Sequence, residues 1–319
     1  MHDLVIIGGG VAAFTSAIYA TRRGLKTLII AKDIGGQANF TDLIENYPGV
    51  EETGGYDLVS GIRKQAEKFG AETIIAEVSK IKTVSDGSFV ITAYGKQYKS
   101  KTIVLAFGKT PRDLNVPGEE EFKGKGVSYC ATCDAPLYKG KTVAVAGIGD
   151  LNLDTALVLS KFCKKVYVLS KTDKLIGHPA LQKALSKKQN VELVPYVQIQ
   201  QILGDKALTA LSLQDLKTGT VRTLHIEGLF VELGYVVRSD FVKGMVNVDE
   251  QGQVIVNFDQ STSCPGVFAA GDATNRPYKQ AVISAGEAAA AALAAYDYLA
   301  RSSGGQGLTS DWTQIKRLK

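Results

Sequence analysis

The chain has 319 residues, of which 45% are hydrophobic and 22% charged, and its mean hydropathy is close to zero. This is the composition of an ordinary globular protein, and the length suggests about two domains. No apolar run approaches the ~20 residues that a membrane-spanning helix needs, and residues 4–9 lack the flanking charge and cleavage site of a signal peptide. The net charge of +5 permits an acidic protein partner and does not indicate nucleic-acid binding.

The first predicted elements form a dinucleotide-binding unit. Apolar residues 3–7 predict a buried strand, residues 14–23 a helix and residues 25–30 a second strand. Between the first strand and the helix lies a G-x-G-x-x-A turn, residues 8–13. This order of elements is the context that the dinucleotide fingerprint requires.

Within that turn each small residue has a physical task. Gly8 makes the tight turn, Gly10 lets the backbone approach a pyrophosphate, and Ala13 permits close packing of helix on strand. The helix N-terminus offers unpaired N–H groups to the phosphates. The second strand runs into Asp33, which is slightly late for the carboxylate that binds a ribose and is nevertheless the candidate for it.

Further along, residues 56–70 predict an amphipathic helix and residues 73–104 several short strands. A buried strand is expected at 102–107, and it ends at Gly108. The stretch 115–121, which contains Pro117 and Gly118, has the composition of a linker.

The linker leads to Cys130-Ala131-Thr132-Cys133-Asp134, which holds two of the four cysteines. Four cysteines do not make a disulfide framework, so the sequence predicts a reducing, cytoplasmic location, where a Cys-x-x-Cys pair is typical of redox catalysis. A half zinc site is the alternative, but zinc needs about four ligands and no other cysteine or histidine has matching spacing. We therefore predict a redox dithiol at Cys130 and Cys133 and no metal site, with Asp134 as an adjacent proton donor and acceptor.

A second strand–turn–helix–strand unit follows the dithiol, with strands at 141–146 and 165–169 and a helix at 152–162. Its turn departs from the fingerprint in two ways. Asn152 takes the third small position, and Asp150 puts a carboxylate where it is expected to oppose a pyrophosphate.

At several places the sequence resembles the low-molecular-weight thioredoxin reductases. The matching segments are Gly35-Gly36-Gln37, Glu45-Asn46-Tyr47-Pro48-Gly49, Cys130-Ala131-Thr132-Cys133-Asp134 and Ala269-Ala270-Gly271-Asp272. The resemblance implies an α/β fold with two Rossmann-like, three-layer (ββα) dinucleotide-binding domains, the second inserted in the first. We expect a discontinuous cofactor domain (1–113 and 244–300), a dithiol domain (114–243) and a C-terminal tail (301–319).

The resemblance also implies that the cofactor is FAD. Its expected contacts, beside those of the first turn, are Gly36, Gln37, Asn46, Gly108, Gly271, Asp272, Gln280 and Ala281. Asp272 is expected to accept a hydrogen bond from a ribityl hydroxyl, and the N-terminus of an Ala-rich helix at 282–300 to face the flavin. Trp312, the only Trp of the chain, is a candidate lid over the flavin.

The expected mechanism passes electrons from FAD to the Cys130–Cys133 disulfide and then to a protein disulfide, with thioredoxin as the implied target and a homodimer as the implied assembly. Cys133 is expected to face the flavin, and Cys130 to be the exposed nucleophile. Related reductases without dithiols, of the ferredoxin–NADP type, are disfavoured by this cysteine pair.

The electron donor is where the sequence departs from NADPH-using relatives. These carry a His-Arg-Arg-x-x-x-Arg cluster after the second strand of the inserted domain, whereas residues 170–176 contain two lysines and no arginine. Residues 139–188 contain ten Lys and three Asp, 10 − 3 = +7, which suits an acidic partner. With these departures the sequence resembles a branch of the family whose second domain has lost nicotinamide recognition and whose members take electrons from reduced ferredoxin. The resemblance therefore implies reduced ferredoxin as the favoured donor, and the charge is consistent with it. The alternatives are an NADPH-dependent reductase with a drifted loop, a second nucleotide or flavin in the inserted domain, and a non-catalytic flavin redox sensor.

Overall fold

The computed structural model of the chain describes residues 1–40 and 43–307, without the side chains of Phe40 and Cys133. The strands are β1 (His2–Ile7), β2 (Thr27–Ala31), β3 (Glu72–Ile75), β4 (Val78–Thr83), β5 (Phe89–Ala93), β6 (Lys96–Leu105), β7 (Thr110–Pro111), β8 (Val127–Ser128), β9 (Thr142–Gly147), β10 (Lys165–Leu169), β11 (Val191–Val194), β12 (Val197–Gly204), β13 (Leu208–Asp215), β14 (Val221–His225), β15 (Gly228–Glu232), β16 (Tyr235–Val236) and β17 (Val267–Ala269). The α-helices are α1 (Val11–Arg22), α2 (Gly55–Lys68), α3 (Glu119–Phe122), α4 (Ala131–Asp134), α5 (Asp150–Ser160), α6 (Pro179–Leu185) and α7 (Ala281–Ser302).

The chain divides into two compact units. Unit 1 comprises Met1–Thr110 and Val237–Lys319, and unit 2 comprises Pro111–Val236. Unit 2 is therefore an insertion in unit 1, and the chain crosses between them a few residues before each predicted boundary. The functional division into a cofactor domain and a dithiol domain stays a prediction.

Unit 1 is built on a seven-stranded sheet of order β3-β2-β1-β6-β5-β4, with β17 pairing with the second half of β6. Strands β1, β2, β3, β6 and β17 run parallel, and β4 and β5 add an antiparallel edge. Because β1 and β2 are apolar on both faces, they form the buried centre of the sheet. Their carboxyl ends bring the first Gly-rich turn to one edge of this sheet.

Helices α1 and α7 pack together through small side chains, which include the fully buried Ala13, Ala17 and Ala288. The buried hydroxyl of Ser16 donates to the carbonyl of Ala288 at 3.1 Å and locks the pair. Small residues thus let α7 approach α1 closely. A Cβ on Gly271 would lie 3.0 Å from Ala12 Cβ and 3.3 Å from Ser284 Oγ, so the first turns of the two helices lie on the same side.

Unit 2 contains a parallel five-stranded sheet of order β11-β10-β9-β15-β8 and an antiparallel three-stranded sheet, β12-β13-β14. The dithiol helix α4 follows β8, and α5 follows β9 through the second Gly-rich turn. Both features therefore lie at the carboxyl edge of the parallel sheet, where α/β proteins place their sites.

One local prediction was wrong. Residues 115–121 are no plain linker, because α3 begins at Glu119 and this residue is buried.

Candidate active site

In the first Gly-rich turn, close contacts with the neighbouring backbone leave no room for a side chain at Gly8 or Gly9. Gly8 has φ of +138°, and a Cβ there would lie 2.0 Å from the carbonyl oxygen of Ala106. A Cβ on Gly9 would lie 1.9 Å from the carbonyl oxygen of Asp33. At Gly10, by contrast, the nearest atom to such a Cβ is the Gly35 carbonyl oxygen at 3.7 Å, so this position is open to a ligand.

Asp33 is exposed, and its Oδ1 accepts the Gly36 N–H at 3.1 Å. The Gly35 N–H donates to the Gly9 carbonyl at 2.8 Å, so the loop after β2 folds back against the first turn. The structure thus places Asp33 beside this turn, with one carboxylate oxygen already engaged by the loop.

Several predicted cofactor contacts, distant in sequence, meet in unit 1. Gln37 Nε2 donates to Asp272 Oδ2 at 2.9 Å, and Asn46 Nδ2 donates to Gln280 Oε1 at 3.3 Å. A Cβ on Gly108 would meet only Gln37 Nε2, at 3.9 Å. These pairs join the loop after β2 to the segment between β17 and α7.

Gly271 is tied into the same neighbourhood by residues that the sequence analysis did not name. Its N–H donates to Glu287 Oε2 at 2.8 Å, and the Ser284 hydroxyl donates to Asp272 Oδ1 at 3.4 Å. Burial raises the pKa of Glu287, and the Gly271 N–H partly offsets this effect. The signal was the spacing on α7, since Ser284 and Glu287 are three apart and share a helix face.

Lys279 is a third residue that the sequence analysis did not name as a site residue. Its ammonium donates to the Thr274 carbonyl at 2.5 Å, and burial, with a contribution from Lys109, lowers the pKa of this group. Asp272 and Glu287 act on it in the opposite direction. A half-buried cation therefore accompanies the carboxylates of this region.

In unit 2, the dithiol segment begins at the end of a parallel strand. Cys130 lies between β8 and α4, is 8% exposed and is part of a disulfide. The other described cysteines, Cys163 and Cys264, are free thiols. The expectation of an exposed Cys130 is wrong in this structure, because its side chain is buried.

Two contacts hold this segment. The Ser128 hydroxyl accepts the Cys130 N–H at 3.1 Å. Tyr129 donates its phenol to Glu119 Oε1 at 2.6 Å, and the same carboxylate accepts the N–H groups of Leu114 at 2.8 Å and Asn115 at 2.7 Å. Burial, with the carboxylate of Glu119, raises the pKa of Tyr129 far above its usual range.

Asp134 closes the short helix α4, and its N–H donates to the Cys130 carbonyl at 3.1 Å. The carboxylate acts on Tyr138, whose pKa is raised first by burial and then by Asp134. The Cys133 side chain lies outside the described residues.

In the second Gly-rich turn, Asp150 is bonded to the loop that follows β10. Its Oδ1 accepts the His178 N–H at 2.6 Å, and a Cβ on Gly177 would lie 2.9 Å from the same oxygen. Asp150 is nevertheless exposed as the first residue of α5, at the mouth of the turn. The expectation that its carboxylate opposes a pyrophosphate there stays a prediction.

The loop after β10 is bound internally. The Ser170 and Thr172 hydroxyls lie 3.2 Å apart, and the Thr172 hydroxyl donates to the Lys174 carbonyl at 3.1 Å. Lys171 and Lys174 are exposed. Two point charges thus stand where the resembling NADPH-using enzymes have an arginine cluster.

Comparison with protein families decides the affiliation. The family model of the pyridine nucleotide-disulphide oxidoreductases matches residues 2–292. This chain belongs to that family.

Two curated family relatives illustrate the similarity. An alkyl hydroperoxide reductase component of Xanthomonas campestris pv. phaseoli is 38% identical over 94% of this chain and 58% of its own length. A Bacillus subtilis NADH dehydrogenase is 37% identical over 94% of this chain and 59% of its own length. The chain thus spans less than two thirds of these relatives.

Solved structures in the family match over nearly their whole length. Lactococcus lactis thioredoxin reductase is 33% identical with a TM-score of 0.77, covering 94% of this chain and 100% of that one. A ferredoxin-flavin thioredoxin reductase from Clostridium acetobutylicum is 30% identical with a TM-score of 0.51, covering 92% and 96%. The predicted fold, two Rossmann-like domains with the second inserted in the first, is confirmed.

The residues of unit 1 fit a family flavin. Gly10, Gly36 and Gly108 leave open backbone, since a Cβ on any of them would meet nothing closer than 3.7 Å. Larger side chains would close this cradle. Beside it stand the amides and carboxylates of Gln37 and Asp272. The candidate lid, Trp312, lies outside the described residues.

Among the described residues, no helix is long and apolar enough to cross a membrane. In the same part of the chain, no group of three or more His, Cys, Asp or Glu residues is placed to hold a metal ion.

Proposed function

We propose that this protein is a flavin-dependent dithiol–disulfide oxidoreductase of the thioredoxin reductase type. It passes two electrons from FAD through a Cys130–Cys133 disulfide to a protein disulfide such as that of thioredoxin. The observation that carries this proposal is the disulfide at Cys130, at the carboxyl edge of a parallel sheet, in a chain whose Cys163 and Cys264 are free.

The roles of the residues follow from their positions. Cys130 attacks the target disulfide after a movement that exposes it, since its side chain is buried in this structure. Cys133 faces the flavin, and Asp134 exchanges a proton with the dithiol. Gln37, Asn46, Asp272 and Gln280 bind FAD, with Gly8, Gly10, Ala13, Asp33, Gly36, Gly108, Gly271 and Ala281 shaping its cradle. FAD supplies a two-electron carrier when bound.

Reduced ferredoxin is the donor that we propose. Arginine is absent from residues 170–176, and two of the hydroxyls that could meet a 2′-phosphate are bonded within the loop. Eight of the ten lysines between 139 and 188 are exposed: Lys139, Lys161, Lys164, Lys171, Lys174, Lys183, Lys187 and Lys188. Such a surface steers an acidic partner toward unit 2.

A nicotinamide nucleotide is the second candidate donor. The family takes its name from pyridine nucleotides, and one relative is named an NADH dehydrogenase. In this alternative Lys171 and Lys174 bind the nucleotide.

The remaining features of the proposal rest on the resemblance. They are a homodimer in the cytoplasm, a lid at Trp312, and functional domains 1–113 with 244–300 and 114–243. A further nucleotide or flavin in unit 2 is an alternative to an empty second site.

The deciding experiment is an anaerobic titration of the purified flavoprotein, followed by flavin absorbance. Reduced ferredoxin, NADPH and NADH are offered separately. We expect bleaching by ferredoxin alone. Bleaching by stoichiometric NADPH or NADH would overturn the ferredoxin proposal and support the second candidate.

A turnover assay distinguishes the proposed enzyme from a non-catalytic flavin redox sensor. With the effective donor and thioredoxin, insulin disulfides should be reduced catalytically, and Cys133→Ser should abolish this reduction. Cys163→Ser is the matched control, because burial raises the pKa of that thiol to about 11 and makes it unreactive. Full activity of Cys133→Ser would contradict the dithiol mechanism. A lack of turnover with every donor would favour the sensor.

A further inference from the structure

A buried carboxyl group stands between the two chemical features of unit 2. Glu232 ends β15, the strand between β9 and β8. On one side it is paired with Gly147, where the second Gly-rich turn begins. On the other side Phe230 is paired with Ser128, so Glu232 and Cys130 each lie two residues beyond a matched pair of parallel neighbours. Both residues therefore lie at the carboxyl edge of the sheet, at the ends of the neighbouring strands β15 and β8.

The surroundings of Glu232 favour its neutral form. Its side chain is 7% exposed, and burial raises the pKa of the carboxyl to about 7. No cation among the described residues acts on it; Asp154 on α5 raises its pKa further, and the Thr155 hydroxyl, which donates to Oε1 at 2.7 Å, lowers it. A buried carboxyl without a cation keeps its proton near neutral pH.

Asn152 supplies an independent observation. It is 3% exposed, and its Oδ1 is buried without a hydrogen-bond partner in the described part of the chain. Asn152 lies three residues before Thr155, on the same face of α5. A buried acceptor that lacks a donor, next to the hydroxyl that binds Glu232, suits a carboxyl that carries a hydrogen. The departure from the fingerprint at Asn152 thereby gains a physical reason.

We propose that Glu232 supplies a proton to Cys130 when its disulfide is reduced, with Asn152 and Thr155 as positioning residues. This inference rests on the proposed dithiol function. Two electrons from a dithiol or flavin reductant break the S–S bond and leave a thiolate on each of the two cysteines. The Cys130 sulfur takes the proton of Glu232, so an S–H bond forms and an O–H bond breaks. Asp134 serves the second sulfur, and water reprotonates Glu232.

Other ionisable groups around Glu232 do not replace it. Tyr235, just beyond β15, has its pKa raised by burial and then by Glu232, so it stays neutral. Asp154 is exposed on α5 and is therefore not a buried proton donor. Asp134 interacts with Tyr138, whose pKa it raises. Glu232 is thus the buried group of this set that titrates near neutral pH.

The test is a redox titration of the full chain in dithiothreitol buffers between pH 6 and pH 8.5. Samples are quenched with acid, and reduced Cys130 is counted by mass-tagging with a maleimide. The measured quantity is the equilibrium constant for reduction, taken as the ratio of the wild type to Glu232→Gln. The chemistry of dithiothreitol cancels in this ratio.

We expect a ratio close to one at pH 6 that falls roughly 3- to 10-fold by pH 8.5. Above pH 7 the wild type carries a carboxylate that disfavours a thiolate on Cys130, whereas the Gln variant does not. A ratio independent of pH would overturn the proposal.

Two further variants guard against a structural explanation. Thr155→Val removes the hydroxyl that favours the charged form of Glu232. The pH at which the ratio of equilibrium constants falls should therefore be higher in this variant than in the wild type. The same pH in both proteins would also contradict the proposal. Glu227→Gln, exposed at the opposite end of β15, should behave as wild type. Because dithiothreitol replaces the donor, a failure of thioredoxin reduction would leave this result intact.

Discussion

Asp272 shows how single residues set the affinity of the flavin cradle. It receives hydrogen bonds from Gln37 and Ser284, which hold the carboxylate in one orientation. A charged acceptor so fixed forms a stronger bond to a ligand hydroxyl than a neutral one.

Asp272→Ala should therefore weaken FAD binding by about tenfold or more, since a hydrogen bond to a charged group contributes roughly 1.5–3 kcal/mol. The measurement is the Kd from quenching of flavin fluorescence on addition of the apoprotein. Asp240→Ala, at an exposed ion pair with Lys243, should leave the Kd unchanged. Equal Kd values for Asp272→Ala and wild type would contradict the assignment.

Glu119 holds the dithiol segment in place by accepting hydrogen bonds from it and from the segment before α3. Glu119→Ala would remove the shared acceptor of the Leu114, Asn115 and Tyr129 donors, and a hydrogen bond to a charged group contributes roughly 1.5–3 kcal/mol. Part of this loss is offset, because water can reach the exposed Asn115 and Asp113 also bonds Tyr129. We expect a loss of about 3–5 kcal/mol in unfolding free energy by urea denaturation, followed by circular dichroism. Glu120→Ala, whose carboxylate is exposed and bonds Lys123, should cost under about 1 kcal/mol. Similar losses in both variants would refute the role of Glu119.

Glu232 makes stability depend on pH. Its folded pKa, about 7, lies above its ordinary value of 4.5, so between these pH values the native state binds more protons than the unfolded state. Stability conferred by the neutral form is complete below pH 4.5 and is lost as the pH rises through 7. Relative to Glu232→Gln, the wild type should lose about 2–3 kcal/mol of unfolding free energy over this range. Parallel stability curves for the two proteins would contradict this assignment.

At the scale of elements, the β1–α1 turn separates folding from ligand binding. A Cβ on Gly8 collides with the backbone of Ala106, whereas a Cβ on Gly10 enters open space. Gly8 is therefore required for folding, whereas Gly10 is required for binding the ligand.

Gly8→Ala should prevent accumulation of folded protein. Gly10→Ala should leave the melting temperature of the apoprotein unchanged and lower the FAD affinity at least tenfold, because the methyl group fills the cradle. Calorimetry of the apoprotein and the flavin titration measure the two effects. Gly24→Ala, where nothing lies within 4 Å, is the control, with a cost of about 1 kcal/mol and no effect on FAD. Normal flavin affinity in Gly10→Ala would contradict the cradle.

The sequence predicted such elements where a pattern is local. The turn at residues 8–13 and the strands around it were recognisable because glycine spacing and apolar runs are set by neighbouring residues. The role of Glu119 was not, because a Glu run before a Cys-x-x-Cys motif gives no sign that one carboxylate is buried. The bond from His178 to Asp150 spans 28 residues and depends on the path of a loop. Contacts of this kind follow from tertiary packing, which local patterns do not encode.

At the scale of the whole molecule, the charge is unevenly distributed. The chain carries +5 overall, whereas residues 139–188 alone carry +7, so the rest is slightly acidic. An acidic electron carrier would thus be drawn to unit 2 rather than to the molecule as a whole.

Charge reversal tests this steering. Lys183→Glu with Lys187→Glu should lower the second-order rate of flavin reduction by ferredoxin roughly 3- to 10-fold at low salt, and the difference from wild type should shrink toward 0.5 M salt because exposed charges are screened. Stopped-flow absorbance measures the rate. Lys96→Glu with Lys99→Glu makes the same change of net charge on exposed residues of unit 1 and should have a smaller effect. If both pairs slowed the reaction equally, net charge rather than a surface of unit 2 would govern the encounter.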